Sequence, residues 1–215
     1  MGHTRGHLPP IALAMGEPAG IGPAATVLAW KTNKTNRLYP FFYVGDPRAL
    51  LLHAPRLPWR RVASAAEVLR TFPAALPVWP VEVPGKIQAG RPDPKSARAV
   101  VGCIETAVRL CQAEVARAMV TNPIHKATLL KAGFRHPGHT EFLGKLAKAT
   151  PVMMLTNAYL CTVPITVHVP LKDVPHSLSR ERIVATVEIA VRDLKKRFGL
   201  RHPRLAMTGL NPHAG

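Results

Sequence analysis

Acidic side chains are scarce: 12 Asp and Glu stand against 29 Lys and Arg, a formal balance of +17. Such an excess points toward anionic ligands. The cations are nevertheless dispersed, as Arg60-Arg61, Lys145, Lys148, Arg192, Lys195-Lys196-Arg197 and Arg201, and no basic run reaches five. Aromatic residues are also few, 6% of the chain, so platforms on which bases could stack are rare. Together these features argue against a dedicated nucleic-acid module and for a solvated basic surface. Cysteine is limited to Cys103, Cys111 and Cys161, an odd number without a C-x-x-C pair. That excludes a disulfide framework and a thiolate zinc site, and the cysteines read as small buried apolar residues. No apolar run approaches the roughly 18–20 residues needed to cross a bilayer. The N-terminus lacks the apolar core of a secretory signal. A cytoplasmic protein is the expectation.

What is present is an alternation of short apolar runs with amphipathic stretches. Ile11–Met15 reads as a first strand buried on both faces, followed by a turn and a helix from Pro23 to Trp30. Phe41–Val44 reads as a second strand. Residues 53–94 are proline-rich and suit a loop-rich or edge region with one short helix near Ala65–Thr71. Val100, Val101, Ile104, Ala107, Val108 and Cys111 recur at helical spacing within a helix over 94–111. Ala116–Val120 reads as a buried strand, and Ile124–Lys131 as a helix stopped by Gly133. Val152–Leu155 and Leu160–Val169 suggest two strands across Thr156-Asn157-Ala158. The strongest helical pattern runs from Ser179, a capping residue, to Phe198, with Gly199 as terminator. Leu205–Thr208 suggests a last strand. This alternation predicts an α/β fold with a substantially parallel sheet.

Four segments could carry chemistry. Gly16–Pro23 lies between a strand and a helix and is either a tight turn or an anion-binding helix start. It matches neither the dinucleotide fingerprint nor the Walker loop. His139 precedes a helix for which Thr140 is the expected cap. His168 and His213 each follow a strand-like run, where parallel sheets bind ligands. Two imidazoles could share a divalent ion, but such an ion needs three or more ligands.

Six segments taken in order resemble one family. They are Met15–Pro23, Gly90–Pro94, Thr121–Lys126, Pro137–Phe142, His168–Asp173 and Gly209–Gly215. The family is that of the 4-hydroxythreonine-4-phosphate dehydrogenases of vitamin B6 synthesis. The resemblance implies an isocitrate/isopropylmalate dehydrogenase-like fold, two α/β lobes with a cleft. It implies NAD(P)-dependent oxidation of 4-phosphooxy-L-threonine with decarboxylation to 3-amino-2-oxopropyl phosphate. It also implies a divalent metal (Zn, Mg or Co) and a homodimer. His139 and Thr140 would bind substrate, and His168 and His213 would bind the metal. Lys126 would be a phosphate contact or proton-relay residue, or simply a solvated lysine. No catalytic residue or cofactor contact is assigned.

The family's third metal-ligating His motif and its later substrate contacts are not found in the 215 residues. The expectation is that residues 1–215 are the N-terminal portion of a two-lobed dehydrogenase, incomplete at the C-terminus. Three alternatives stay open. One is a related dehydrogenase acting on threonate 4-phosphate or a dihydrodiol carboxylate. The second is a truncated, non-catalytic product, and the third a basic anion-binding module.

Overall fold

A computed structural model describes residues 8–135, 138–211 and 213. The chain divides into two compact units, Met1–Ala149 and Thr150–Gly215.

The first unit is built on a parallel sheet. Its strands are β1 (Ile11–Ala14), β2 (Phe41–Gly45), β3 (Trp59–Arg61), β4 (Leu76–Pro80) and β5 (Ala118–Thr121). They lie in the order β3-β4-β2-β1-β5, and every pairing is parallel. β2, at the middle of the sheet between β4 and β1, is buried at all five positions. β1 instead alternates between half-buried and buried. The expectation of a buried strand near residues 116–120 is corrected: β5 is an edge strand, and Val120 is 49% exposed. Proline richness concealed β3 and β4. Pro77 and Pro80 fit because β4 starts and ends around them while Tyr43, Val44 and Gly45 pair alongside.

Helices α1 (Gly22–Lys31), α2 (Asn33–Asn36), α3 (Pro47–Leu51), α4 (Ala65–Thr71), α5 (Ala97–Gln112), α6 (Lys126–Lys131) and α7 (His139–Ala147) connect and cover the strands. The apolar stripe of α5 buries Val100, Cys103, Ile104 and Ala107 against the sheet, as its spacing requires. The rings of Phe41 and Phe72 meet edge to face at 5.1 Å, and Trp30 Nε1–H donates to the Phe72 carbonyl at 3.0 Å. Asp46 caps α3: its carboxylate accepts from the backbone of Arg48 and Val83 and from the Arg48 guanidinium.

The second unit has the short antiparallel pair β6 (Leu155–Thr156) and β7 (Cys161–Thr162), then α8 (Val174–Ser177) and α9 (Arg180–Phe198). Ser179 caps α9 through the Arg182 N–H, and Gly199 ends it in the left-handed region at φ 70°. Two expectations fail here. The strands foreseen over 152–155 and 160–169 shrink to two-residue pieces. Leu205–Thr208 forms no strand, and among the described residues no segment pairs with it; Met207 is 63% exposed. Cys161 is exposed, against the expectation of burial, whereas Cys103 is buried.

Candidate functional site

Strand order locates the first unit's ligand position before any side chain is considered. From β1 the chain moves to β2 on one side, and after β4 it crosses to β5 on the other. The topological switch therefore falls between β1 and β5. In open parallel sheets the crevice beyond the carboxyl ends of such strands is where ligands bind. The loop after β1 is Gly16–Ile21, and the loop after β5 is Asn122–His125.

These two loops interlock. The Asn122 N–H donates to the Ala14 carbonyl at 3.2 Å, and the Glu17 N–H donates to the Pro123 carbonyl at 2.9 Å. The buried Asn122 side chain donates through Nδ2 to Thr26 Oγ1 at 3.0 Å, and Thr26 Oγ1 donates to the Gly22 carbonyl at 2.9 Å. Space explains the glycines. A Cβ at Gly16 would lie 2.5 Å from the Pro123 carbonyl oxygen, and one at Gly22 would lie 2.7 Å from Asn122 Cβ. Gly16 also has φ +70°, a conformation that L side chains seldom adopt. The segment after β4 joins them, since the Gly90 N–H donates to the Ala19 carbonyl at 2.8 Å. Three segments distant in sequence, around residues 16–21, 90 and 122–125, are thus joined by backbone hydrogen bonds.

A crevice opens between the loop after β1 and the segment after β4, lined by Glu17, Lys86, Gln88, Arg91, Asp93 and Ser96 among others. Glu17 is only 4% exposed, and its Oε1 accepts the Ala19 N–H at 3.1 Å. Burial pushes its carboxyl above the usual carboxylate range; the Ala19 hydrogen bond and the nearby His125 oppose the rise, and Asp93 adds to it. Raised carboxyl pKa values in a crevice mark candidate functional groups. Sequence reading did not single out Glu17, Asn122 or Thr26. The signal available was the pair of closely spaced glycines, which require some outside group to pack closely against the turn.

His139 and Thr140 are brought together at the start of α7. The helix cap is Gly138, so His139 is the first helical residue rather than the residue outside a Thr140 cap. Gly138, in extended backbone, takes the cap position that Thr140 was expected to occupy. His139 Nε2 is buried and has no hydrogen-bond partner. Burial lowers the His139 pKa, which favours the neutral ring. A buried polar atom without a partner is uncommon and suits a ligand contact. Pro137 of the same motif lies outside the described residues.

His168 and His213 both belong to the second unit, and both are exposed. Neither ends a strand, contrary to expectation. His168 has φ +57°, the left-handed region, in a bend rather than in an extended run. The His213 N–H donates to Asn211 Oδ1 at 2.8 Å, a side-chain turn; Pro212, Ala214 and Gly215 lie outside the described residues. Two imidazoles fall short of the three protein ligands of a catalytic zinc centre. Among the described residues no three His, Cys, Asp or Glu are grouped to hold a metal. The described residues do not complete a metal site.

A family model described as pyridoxal phosphate biosynthetic protein PdxA matches residues 37–215. The 4-hydroxythreonine-4-phosphate dehydrogenase of Ruegeria sp. (strain TM1040) is 46% identical over 208 residues, covering 95% of this chain and 62% of the relative. The crystal structure of a 4-hydroxythreonine-4-phosphate dehydrogenase from Burkholderia phymatum superposes with a TM-score of 0.86 at 26% identity, over 98% of this chain and 65% of that one. A terephthalate 1,2-cis-dihydrodiol dehydrogenase from Burkholderia xenovorans LB400 shares the fold, with a TM-score of 0.64 at 24% identity. The chain spans about 62% of the length of the curated relatives it matches. The expected α/β architecture is therefore that of the solved dehydrogenases.

Proposed function

The chain belongs to the pyridoxal phosphate biosynthetic protein PdxA family, and from that premise we propose that the whole protein oxidises 4-phosphooxy-L-threonine with NAD(P)+. Carbon C3 of the substrate gives its hydrogen as hydride to the nicotinamide, and the C3 hydroxyl gives its proton to a base. The resulting β-keto acid releases CO2, and the carbon left behind takes up a proton to give 3-amino-2-oxopropyl phosphate. The dinucleotide, when bound, supplies the hydride acceptor.

This chain's own contribution is binding and orientation. The loops at the switch point lie where open parallel sheets bind ligands. The N-terminal end of α1 adds backbone N–H groups of the kind that hold phosphates. His139 offers an uncharged ring nitrogen for a hydrogen bond to substrate, and Thr140 a hydroxyl beside it. The buried, unpartnered His139 Nε2 is the single observation that carries the substrate assignment. His168 and His213 would supply two of the ligands of a divalent ion, the remainder coming from outside the described residues. The protein would work as a homodimer in the cytoplasm; among the described residues no helix is long and apolar enough to cross a membrane.

The test uses the gene's complete coding sequence, with 4-phosphooxy-L-threonine, NAD+ and a divalent cation, following NADH. His139→Ala should lower kcat/KM by about 100-fold, the usual scale for a positioned proton-transfer or binding group, with an unchanged melting temperature. Wild-type kcat/KM in that variant would remove His139 from the site. Failure of the wild-type enzyme to reduce NAD+ with this substrate, alongside turnover of threonate 4-phosphate, would reassign the substrate while keeping the family.

A further inference from the structure

The opposite side of the sheet carries a second concentration of charge. β3 is the far edge strand, paired only with β4, and three strand steps separate it from β1. At about 4.8 Å per step that is roughly 14 Å between the two strands. A groove runs beside this edge, lined by Arg60 and Arg61 of β3, Arg70 and Thr71 at the end of α4, and Ala74 and Ala75 before β4. All three arginines are exposed. The groove's one carboxylate, Glu67, is already engaged: its Oε2 accepts the Ala63 N–H at 2.8 Å, while its own N–H donates to the capping Ser64 Oγ at 3.3 Å. The ion pairs among the described residues are Arg48–Asp46, Arg192–Asp193 and Arg197–Asp193, so no carboxylate lies within pairing distance of Arg60, Arg61 or Arg70.

Three guanidinium groups less one carboxylate leave a local charge of +2. Guanidinium presents paired N–H donors that match the oxygens of a phosphate, and Thr71 adds a hydroxyl. Charged residues on an edge strand also discourage pairing with other chains. That role needs charge on β3 alone. It does not account for Arg70 and Thr71, contributed by a helix, facing the same groove. We propose that this groove is a binding site for a dianionic phosphate group, separate from the switch-point crevice. The bound dianion would neutralise the local charge and bridge β3 to α4.

The test is calorimetric titration of this chain with inorganic phosphate and with glycerol 3-phosphate, at physiological ionic strength. Both share the dianion; tighter binding of glycerol 3-phosphate identifies an organic ester as the ligand, and equal binding identifies free phosphate. One saturable site is expected. Arg60→Gln and Arg70→Gln should each weaken it about tenfold, the loss of one charge-assisted contact. Arg182→Gln, on α9 in the second unit, should change it less than about twofold. Because the mutated side chains are exposed, matching melting curves are expected to exclude misfolding. The proposal is overturned by lack of saturable binding, or by equal weakening from Arg182→Gln, which would mean screening of overall charge. Neither outcome bears on substrate oxidation, so failure here leaves the proposed activity standing.

Discussion

Gly16→Ala probes the junction on which the switch-point crevice depends. Two costs add. Alanine held at φ +70° loses about 1–2 kcal/mol relative to glycine. The new methyl would also stand 2.5 Å from the Pro123 carbonyl oxygen and 2.8 Å from Asn122 Cβ. The carbonyl is backbone, fixed by accepting the Glu17 N–H, so it cannot swing aside as a side-chain tip would. Overpacking of this kind costs about 1–3 kcal/mol. The sum, about 2–5 kcal/mol, lowers the melting temperature by roughly 5–15 °C at about 2–4 °C per kcal/mol for a chain of this size. Gly133→Ala is the control: Gly133 has φ +86° but no atom within 4 Å of its added Cβ. It should carry the backbone cost alone, about 1–2 kcal/mol. Thermal unfolding followed by circular dichroism compares the two. Equal melting temperatures would refute the steric half of the reasoning and with it the interlocked wall.

Three further outcomes follow from buried polar groups. Tyr43→Phe removes a fully buried hydroxyl that has no hydrogen-bond partner, so stability should hold or rise by up to about 1 kcal/mol; a loss above about 1 kcal/mol would reveal a hidden partner. Burial alone would raise the Asp46 pKa, but hydrogen bonds from the Arg48 side chain and from the Val83 and Arg48 backbones overcome it and hold the carboxyl below its ordinary value. A depressed folded-state value means that this stabilisation is full above the unfolded carboxylate pKa and is lost as pH falls through the folded one. Asp46→Ala should therefore cost about 2–3 kcal/mol near neutrality, discounted because Arg48 is half exposed, with the deficit shrinking in denaturant melts at acid pH. Glu17 has the opposite sign: its raised folded-state value means stability is lost as pH rises through it. Glu17→Gln keeps an oxygen for the Ala19 N–H, so it should be neutral or stabilising near pH 7 and equal to the parent in acid; destabilisation at pH 7 would contradict the burial argument.

What could be read from the sequence divides along a physical line. Elements whose signal is local were legible: the stripe of α5, the Ser179 cap and Gly199 stop of α9, and the apolar runs that became β1 and β2. Elements defined by their neighbours were not. β3 and β4 exist because each supplies the other's hydrogen bonds, and proline content hid both. Leu205–Thr208 carries strand-forming residues but finds no partner, so local preference alone produced a wrong expectation.

The candidate site follows the same logic more sharply. That His139 and Thr140 stand together at a helix start was legible because one short motif holds both. Glu17 was not, because nothing in Gly16–Pro23 says that the carboxylate turns inward. That outcome depends on Asn122 and Pro123, a hundred residues later, filling the space the two glycines leave. A glycine whose absent side chain is replaced by a distant residue marks a junction between strand ends, and in a parallel sheet a junction at the switch point is also a ligand wall. The spacing of Gly16 and Gly22 thus carries positional information about Asn122, which becomes readable only once β1 and β5 are known to be neighbours.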